Sequence, residues 1–266
     1  MEVFNLVQGI QIESCNNIVL GHETCANAFI SSMGTFNFDK FEQKNIRIVT
    51  PMVPQKLIDK IFNIINEIAA KKKIKVVFND VGLLYMCKNL IDNNKINPVI
   101  GRILTHSFFD CPWSSKILEC ENNDVKSAFN QYFCLDHSKK KLFEEYNVKE
   151  FELNYHKGDA AYNLKKNGFK VTTYNFNKLL SVGRICFAAR FFQLYYPNCY
   201  NENICKRKVH LDVVKKWGKN RIINDEISSL DKAYFKNNYL IGNAVYEEIN
   251  IGQNTDVDLY DNVILK

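Results

Sequence analysis

The sequence predicts an α/β fold similar to the TIM barrel, in which parallel strands alternate with helices. Short runs of β-branched and aromatic residues alternate with helix-periodic stretches along most of the chain, and eight of these runs qualify as strands. A doubly wound open sheet is the main alternative, but the glycine-rich turns GxGxxG and GxxxxGK[ST] are absent from the sequence. The 266 residues, 46% of them hydrophobic, suffice for one such domain spanning 1–266.

The eight candidate strands are short apolar runs: Val3–Leu6, Asn17–Leu20, Ile46–Thr50, Lys75–Phe78, Pro98–Leu104, Glu150–Leu153, Lys170–Asn175 and Tyr239–Asn243. Two stretches between them place apolar residues at helical spacing: Leu57, Ile58, Ile61, Ile64, Ile65 and Ile68 in the first, and Leu83, Leu84, Cys87 and Leu90 in the second. The stretch between Thr105 and Val148 is long and irregular, so we expect an irregular or incomplete barrel.

Nothing in the sequence indicates export or a membrane span. The first fifteen residues lack the basic region and apolar run of a signal peptide, and the longest apolar runs are too short to cross a bilayer. We therefore expect a cytoplasmic protein. The net charge of +6 is spread over several lysine runs, a pattern more typical of solvated surfaces than of a nucleic-acid interface, which stays the weaker alternative.

Nine cysteines need an explanation, because structural disulfides are rare in a reducing compartment. Three of them, Cys186, Cys199 and Cys205, follow one another with the spacing C-x12-C-x5-C. Thiolates are soft ligands that suit iron–sulfur clusters and zinc. Four basic residues nearby are expected to favour the thiolate form: Arg184, Arg190, Lys206 and Arg207. The spacing matches no common zinc or ferredoxin pattern, so it leaves metal binding and unrelated cysteines equally open.

A fourth ligand has to come from elsewhere in the chain. Cys25 follows the candidate strand Asn17–Leu20, and Cys186 follows the strand Lys170–Asn175 and its trailing loop. Functional loops of such barrels lie at the C-terminal ends of the strands. Both cysteines are therefore expected to open onto the same face of the barrel.

Four polar residues are candidate catalytic groups. Asn79 and Asp80 end the strand Lys75–Phe78, where barrel enzymes carry such groups, although Asp80 is also well placed to cap the next helix. Arg102 interrupts an apolar run, and Glu152 on the next candidate strand is its expected partner. The alternatives are a structural ion pair or an Arg102 that faces an anionic or carbonyl group of a substrate.

Five segments of the chain resemble motifs of the U32 peptidase-like family. Gly21-His22-Glu23-Thr24-Cys25 resembles its "LGE-x-x-CS-x-R" stretch, and Cys186-Phe187-Ala188-Ala189-Arg190 with Cys199 and Cys205 resembles its "CF-T-AR…C…C" cluster motif. Three further runs fit its strand pattern: Val77–Gly82, Gly101–Leu104 and Val148–Leu153. The segments occur in the family's order over nearly the whole chain, and the short, UbiV-like subgroup is the most similar.

The resemblance implies a TIM-barrel-like fold and a [4Fe–4S] cluster on Cys25, Cys186, Cys199 and Cys205. It further implies work with a sister subunit, as a heterodimer, in an oxygen-independent hydroxylation or related redox reaction on a small molecule or a modified base. The chain departs from the family where Ala26-Asn27-Ala28 follows Cys25, and in the wider spacing of its last two cysteines. A non-catalytic cluster-bearing partner and a peptidase are the alternatives, but the sequence lacks the HExxH and GxSxG motifs of proteases.

Overall fold

The computed structural model of the chain forms two compact units. The barrel unit comprises residues 1–106, 131–176 and 251–266, and the second unit comprises residues 107–130 and 177–250. The sequence predicts one domain, and the structure divides that range into these two units. The residues described are 2–6, 16–41, 43–106, 110, 118–129, 137–154, 159–195, 199–211, 237–249 and 261–265.

The barrel unit is built on a curled parallel sheet. Its strands are β1 (Glu2–Leu6), β2 (Asn17–Gly21), β3 (Asn45–Val49), β4 (Ile74–Phe78), β5 (Ile96–Ile100), β6 (Glu150–Leu153), β7 (Lys170–Tyr174) and β12 (Asn262–Leu265). Strands β2 to β7 pair in sequence order, while β1 pairs with β2 and β12 pairs with β7. Because β1 also pairs with β12, the ring closes. The predicted α/β class with a curled parallel sheet is confirmed.

Helices follow several of these strands and cover the outside of the sheet. They are α1 (Ala26–Gly34), α2 (Ile58–Lys71), α3 (Val81–Met86), α4 (Lys88–Asp92), α6 (His137–Glu145) and α7 (Asp159–Lys166). In α2 the buried residues recur at helical spacing, as Ile58, Ile61, Ile65 and Ile68, and they join the main apolar core. No helix among the described residues has the length and apolar character needed to cross a bilayer.

The interior of the ring is lined by a second, smaller apolar cluster. It takes one residue from each of six strands: Val19, Val49, Val77, Val99, Tyr174 and Ile264. Side chains alternate between the two faces of a strand, so the neighbours of these residues point outward to the helices. Charged side chains share the interior with this cluster, and they form the interior part of the site described below.

The second unit contains a four-stranded antiparallel sheet in the order β8-β11-β10-β9. These strands are β8 (Asn177–Val182), β9 (Val209–His210), β10 (Asn238–Ile241) and β11 (Ala244–Glu248). The short helices α5 (Asn123–Phe129), α8 (Phe187–Phe191) and α9 (Glu202–Cys205) belong to the same unit.

Two of the predicted strands need correction. Tyr239–Asn243 was predicted as the eighth barrel strand, but it forms β10 and a tight turn, in which Gly242 has a φ of +59° and Ile241 pairs with Ala244. A left-handed residue at such a turn returns the chain antiparallel, so the eighth parallel strand is β12 instead. The strand predicted over Pro98–Leu104 ends at Ile100, because the chain turns at Gly101, whose carbonyl accepts from the amides of Leu104 and Thr105.

Candidate functional site

The C-terminal ends of the barrel strands gather polar side chains from distant parts of the sequence. Glu23 lies just beyond β2, Asn79 beyond β4, Arg102 beyond β5 and Asn154 beyond β6, while Tyr174 ends β7. In barrels of this kind the loops at this end carry the functional residues. We call these five residues the barrel mouth.

An ion pair between Arg102 and Glu23 dominates the barrel mouth. Arg102 Nε donates to Glu23 Oε2 at 2.7 Å, and Nη2 donates to Oε1 at 2.6 Å, so the pair is bidentate. The Arg102 side chain is 1% exposed and that of Glu23 is 12% exposed. The guanidinium also lies over the Tyr174 ring, 3.8 Å from its centroid, and Nη1 is 3.4 Å from Asn154 Oδ1. Glu23 is therefore held in a fixed orientation that solvent can still reach.

The predicted pairing of Arg102 with Glu152 is wrong. Because β5 ends at Ile100, Arg102 lies beyond its strand and meets the loop after β2, whereas Glu152 lies within β6 and points into the barrel. Glu152 is fully buried and accepts from Arg47 Nη1 and from the Tyr174 hydroxyl, each at 2.7 Å. Tyr174 thus separates Arg102 on its ring face from Glu152 at its hydroxyl.

A double-mutant cycle should distinguish these partners. We expect a coupling free energy of about 1–3 kcal/mol between Arg102→Met and Glu23→Gln, because the two groups form a nearly buried bidentate pair. The coupling between Arg102→Met and Glu152→Gln should be clearly smaller, since Tyr174 lies between them. Urea unfolding of the four single and double variants measures both values, and a larger coupling to Glu152 would contradict the arrangement.

A charged layer within the barrel was not foreseen from the sequence, apart from Glu152. Arg47 on β3 donates to both Glu150 and Glu152, and Lys75 on β4 donates to Glu150 Oε2 at 2.9 Å. Thr172 and Asn262 complete the group with hydrogen bonds to Glu150 Oε1 at 2.5 and 2.9 Å. Two cations therefore balance two buried carboxylates. The sequence does contain a signal for this layer, because the charged Arg47 lies between Ile46 and Ile48 in an apolar strand.

The two carboxylates of this layer respond to it in opposite ways. Burial tends to raise the pKa of Glu150, but Arg47 and Lys75 outweigh that effect and hold the pKa at about 2. Burial raises the pKa of Glu152, and its single cationic neighbour, which it shares with Glu150, compensates only in part. The pKa of Glu150 is therefore lowered and that of Glu152 is raised, although the two residues are two positions apart on one strand.

Asn79 and Asp80, predicted as catalytic candidates, are engaged by the backbone around them. Asn79 is buried, donates from Nδ2 to the Thr50 carbonyl at 2.8 Å and accepts at Oδ1 from the Ile103 amide at 3.0 Å. Asp80 caps α3 by accepting from the Leu83 amide at 2.9 Å, which confirms the alternative of a helix cap. These contacts fix the loops after β3, β4 and β5. The catalytic roles of Asn79 and Asp80 stay predictions.

The segment Gly21–Cys25 positions both Glu23 and Cys25. Gly21 has a φ of +98°, and a Cβ there would lie 2.3 Å from the Val49 carbonyl oxygen, so the turn requires glycine. His22 Nδ1 accepts from the amides of Thr24 and Cys25 at 3.3 and 3.1 Å. Cys25 then begins α1 as its N-cap residue, with a half-buried thiol.

In the second unit, two short helices and a hairpin turn place Cys186 and Cys205. Cys186 precedes α8, and its Sγ accepts from the Ala189 amide at 3.4 Å. Cys205 ends α9, a helix that Asn201 caps through the Ile204 amide. The turn between β10 and β11 supports α8, because the Gly242 carbonyl accepts from the Ala188 amide at 3.2 Å.

The three thiols of this unit influence one another electrostatically. Burial raises the pKa of Cys186, the Ala189 amide opposes it, and negative charge on Cys205 and Cys199 raises the pKa further. The expectation that the basic residues nearby would favour the thiolate form is therefore wrong at Cys186. A metal bound at these residues would deprotonate its thiol ligands and balance the resulting negative charge.

The donor set fits an iron–sulfur cluster in kind, because it consists of three partly buried thiols from one unit, two of which act electrostatically on the third, Cys186. Within the described part of the chain, no three Cys, His, Asp or Glu side chains converge as they would around a single metal ion. Cys25 belongs to the barrel unit and the other three predicted ligands belong to the second unit. Comparisons of the chain with protein-family models, with curated proteins and with solved structures found no match.

Proposed function

We propose that the chain binds a [4Fe–4S] cluster and acts in an oxygen-independent hydroxylation or related redox reaction together with a sister subunit. The single observation that carries the cluster is the group of three half-buried thiols, in which the charges of Cys199 and Cys205 act on Cys186. Cys25 is the proposed fourth ligand. Its place directly after β2 would put the cluster at the C-terminal face of the strands.

A bound metal centre would offset the electrostatic cost of forming several thiolates in this unit. Each additional thiolate raises the cost of deprotonating Cys186, and its burial adds to that cost. The iron of a cluster would offset this charge, and the Ala189 amide, which donates to Cys186 Sγ, would become a hydrogen bond to a ligating sulfur. Hydrogen bonds of this kind tune the reduction potential of a cluster.

The barrel mouth is the proposed binding site for the substrate, a small molecule or a modified base. When bound, the cluster would supply one-electron chemistry. Glu23, held in place by Arg102, offers a carboxylate that accepts hydrogen bonds from a donor group of the substrate. Asn154 adds a second polar group, and Asn79 keeps the surrounding loops in position.

Anaerobic purification tests the cluster directly. We expect a brown protein with broad absorbance near about 400 nm and about four iron per chain. Replacing Cys186, Cys199 or Cys205 singly with serine should remove most of the iron, because a cubane cluster needs its thiolate ligands. Stoichiometric zinc without iron after anaerobic reconstitution would overturn the proposal.

Two further variants sharpen this test. Cys120→Ser is the matched control, because Cys120 is an exposed thiol outside the predicted ligand set, and its iron content should equal that of the wild type. The Cys25→Ser variant should lose the cluster, as should the serine variants of Cys186, Cys199 and Cys205. If it keeps full iron while the other three lose theirs, the assignment of the fourth ligand is wrong and the cluster proposal stands.

A further inference from the structure

The second unit carries an exposed apolar surface beside its cysteines. Ile185, Phe187, Phe191 and Tyr195 are 57%, 49%, 58% and 80% exposed, although large apolar side chains are usually buried. They lie within eleven residues of sequence, on α8 and the segments that flank it. We call these four residues the apolar patch. Clusters of exposed apolar side chains commonly mark interaction surfaces.

The backbone of α8 explains why the patch is exposed. Phe187 and Phe191 are four residues apart and share one face of the helix, while Ala188 is buried and its amide donates to the Gly242 carbonyl. α8 is therefore attached to the hairpin turn at Ala188, and it exposes the Phe187 and Phe191 side chains to solvent. Phe191 also packs edge-to-face on Phe192, with ring centroids 5.0 Å apart, which restricts the orientation of the exposed ring.

The segments next to the apolar patch carry an excess of positively charged residues. Arg184, Arg190, Lys206 and Arg207 are all exposed, and the Arg207 guanidinium lies 5.8 Å from the centroid of the Phe192 ring. Among the described residues from 184 to 208, Glu202 is the single acidic side chain, and it pairs with Lys206. Lys208 pairs with Glu248 at 3.0 Å, so the excess of positive charge comes from Arg184, Arg190 and Arg207. The surface thus combines exposed apolar side chains with an excess of positive charge.

We propose that this surface docks an acidic one-electron carrier protein, an inference that rests on the cluster of the proposed function. Cys186 lies between Ile185 and Phe187 of the patch, and Cys205 directly precedes the cations Lys206 and Arg207, so two proposed ligands are adjacent in sequence to this surface. Electron-transfer complexes use small interfaces, and complementary charge steers their association. The carrier gives one electron to the cluster and is itself oxidised by one electron, with no bond formed or broken.

Binding of a plant-type [2Fe–2S] ferredoxin, an acidic carrier, to the cluster-free protein is the first measurement. We expect calorimetry to show binding that weakens about 10-fold or more when salt rises from about 50 mM to about 500 mM, because exposed charges are screened. The double variant Arg190→Glu/Arg207→Glu should weaken binding by at least about 10-fold, and Phe187→Ser/Phe191→Ser should weaken it without removing the salt dependence. Lys60→Glu, an exposed reversal on α2 of the barrel unit, should have no effect.

The second measurement uses the reconstituted protein and separates the two proposals. Reduced ferredoxin should reduce the cluster, and the Arg190→Glu/Arg207→Glu variant should slow this about 10-fold while dithionite still reduces it. If dithionite reduces the cluster but ferredoxin neither binds nor reduces the protein, the docking inference is overturned and the cluster stands. Preferential binding of a single-stranded RNA oligonucleotide, blocked by the same charge reversals, would also overturn it. Salt-sensitive ferredoxin binding by a protein that takes up no iron would overturn the proposed function and the electron transfer to the cluster, and would leave the docking surface in place.

Discussion

Replacing Arg47 with methionine should lower the free energy of unfolding by about 3–5 kcal/mol, which is the usual cost of breaking a buried ion pair from one side. The Arg47 side chain is fully buried and bridges Glu150 and Glu152 inside the barrel. Without Arg47, Lys75 is the cation left beside Glu150 among the described residues, and Glu152 keeps only the Tyr174 hydroxyl. Uncompensated buried charge then destabilises the fold.

Urea unfolding followed by circular dichroism at pH 7 measures this effect. Lys71→Met is the control, because Lys71 pairs with Asp39 at the surface, where both side chains are mostly exposed and the pair contributes little. Adding Glu152→Gln to Arg47→Met should restore part of the lost stability, since it removes the carboxylate that has lost its cationic partner. An Arg47→Met protein within about 1 kcal/mol of the wild type would show that the interior is hydrated and the charges are not buried.

The protein should lose stability between about pH 4.5 and about pH 2 through Glu150. This carboxyl has its pKa lowered from 4.5 to about 2 in the folded state, so the folded protein binds its proton less tightly than the unfolded chain does. Its contribution is therefore complete above about pH 4.5 and disappears as the pH falls to about 2. At about 1.4 kcal/mol for each unit of pKa, the loss is about 3 kcal/mol.

Comparison of Glu150→Gln with the wild type at pH 7, 4.5 and 2.5 tests this prediction. The variant should be less stable at neutral pH, but its stability should change much less between pH 4.5 and 2.5. Glu152→Gln is the matched control on the same strand. Burial raises the pKa of Glu152 in the folded protein, so this residue favours the folded state at low pH. Its contribution to stability is lost as the pH rises, opposite to that of Glu150. If Glu150→Gln loses as much stability between pH 4.5 and 2.5 as the wild type does, another carboxyl group causes the loss.

The strands that local sequence identifies well are those rich in β-branched residues, such as β2, β3 and β4. The eighth strand was misassigned because Tyr239–Asn243 has the same local composition, and only its hairpin pairing with β11 places it in the antiparallel sheet. The pairing that closes the ring joins β1 to β12, from opposite ends of the chain. No local pattern reports such a contact.

The site shows the same division between local and distant information. Asp80 was recognisable as a helix cap from its immediate neighbours. The charge at Arg102 correctly indicated a buried partner, but Glu23 is 79 positions away and became its partner because the chain turns at Gly101. Arg47 gave the same signal and was missed, because an alternating strand can place a charge in solvent, whereas a strand of a covered barrel cannot.

The pairing of β12 with β1 and β7 also bears on how this chain reaches its native state. Glu2 pairs with Asn262, so the barrel cannot close until the strand 262–265 has been synthesised. Until then β1 and β7 each present an unpaired backbone edge, which is a template for association with other chains. Such distant pairing makes folding slow and exposes partly folded chains to aggregation. When residues 262–265 dock, they pair with both edges and remove this template for self-association.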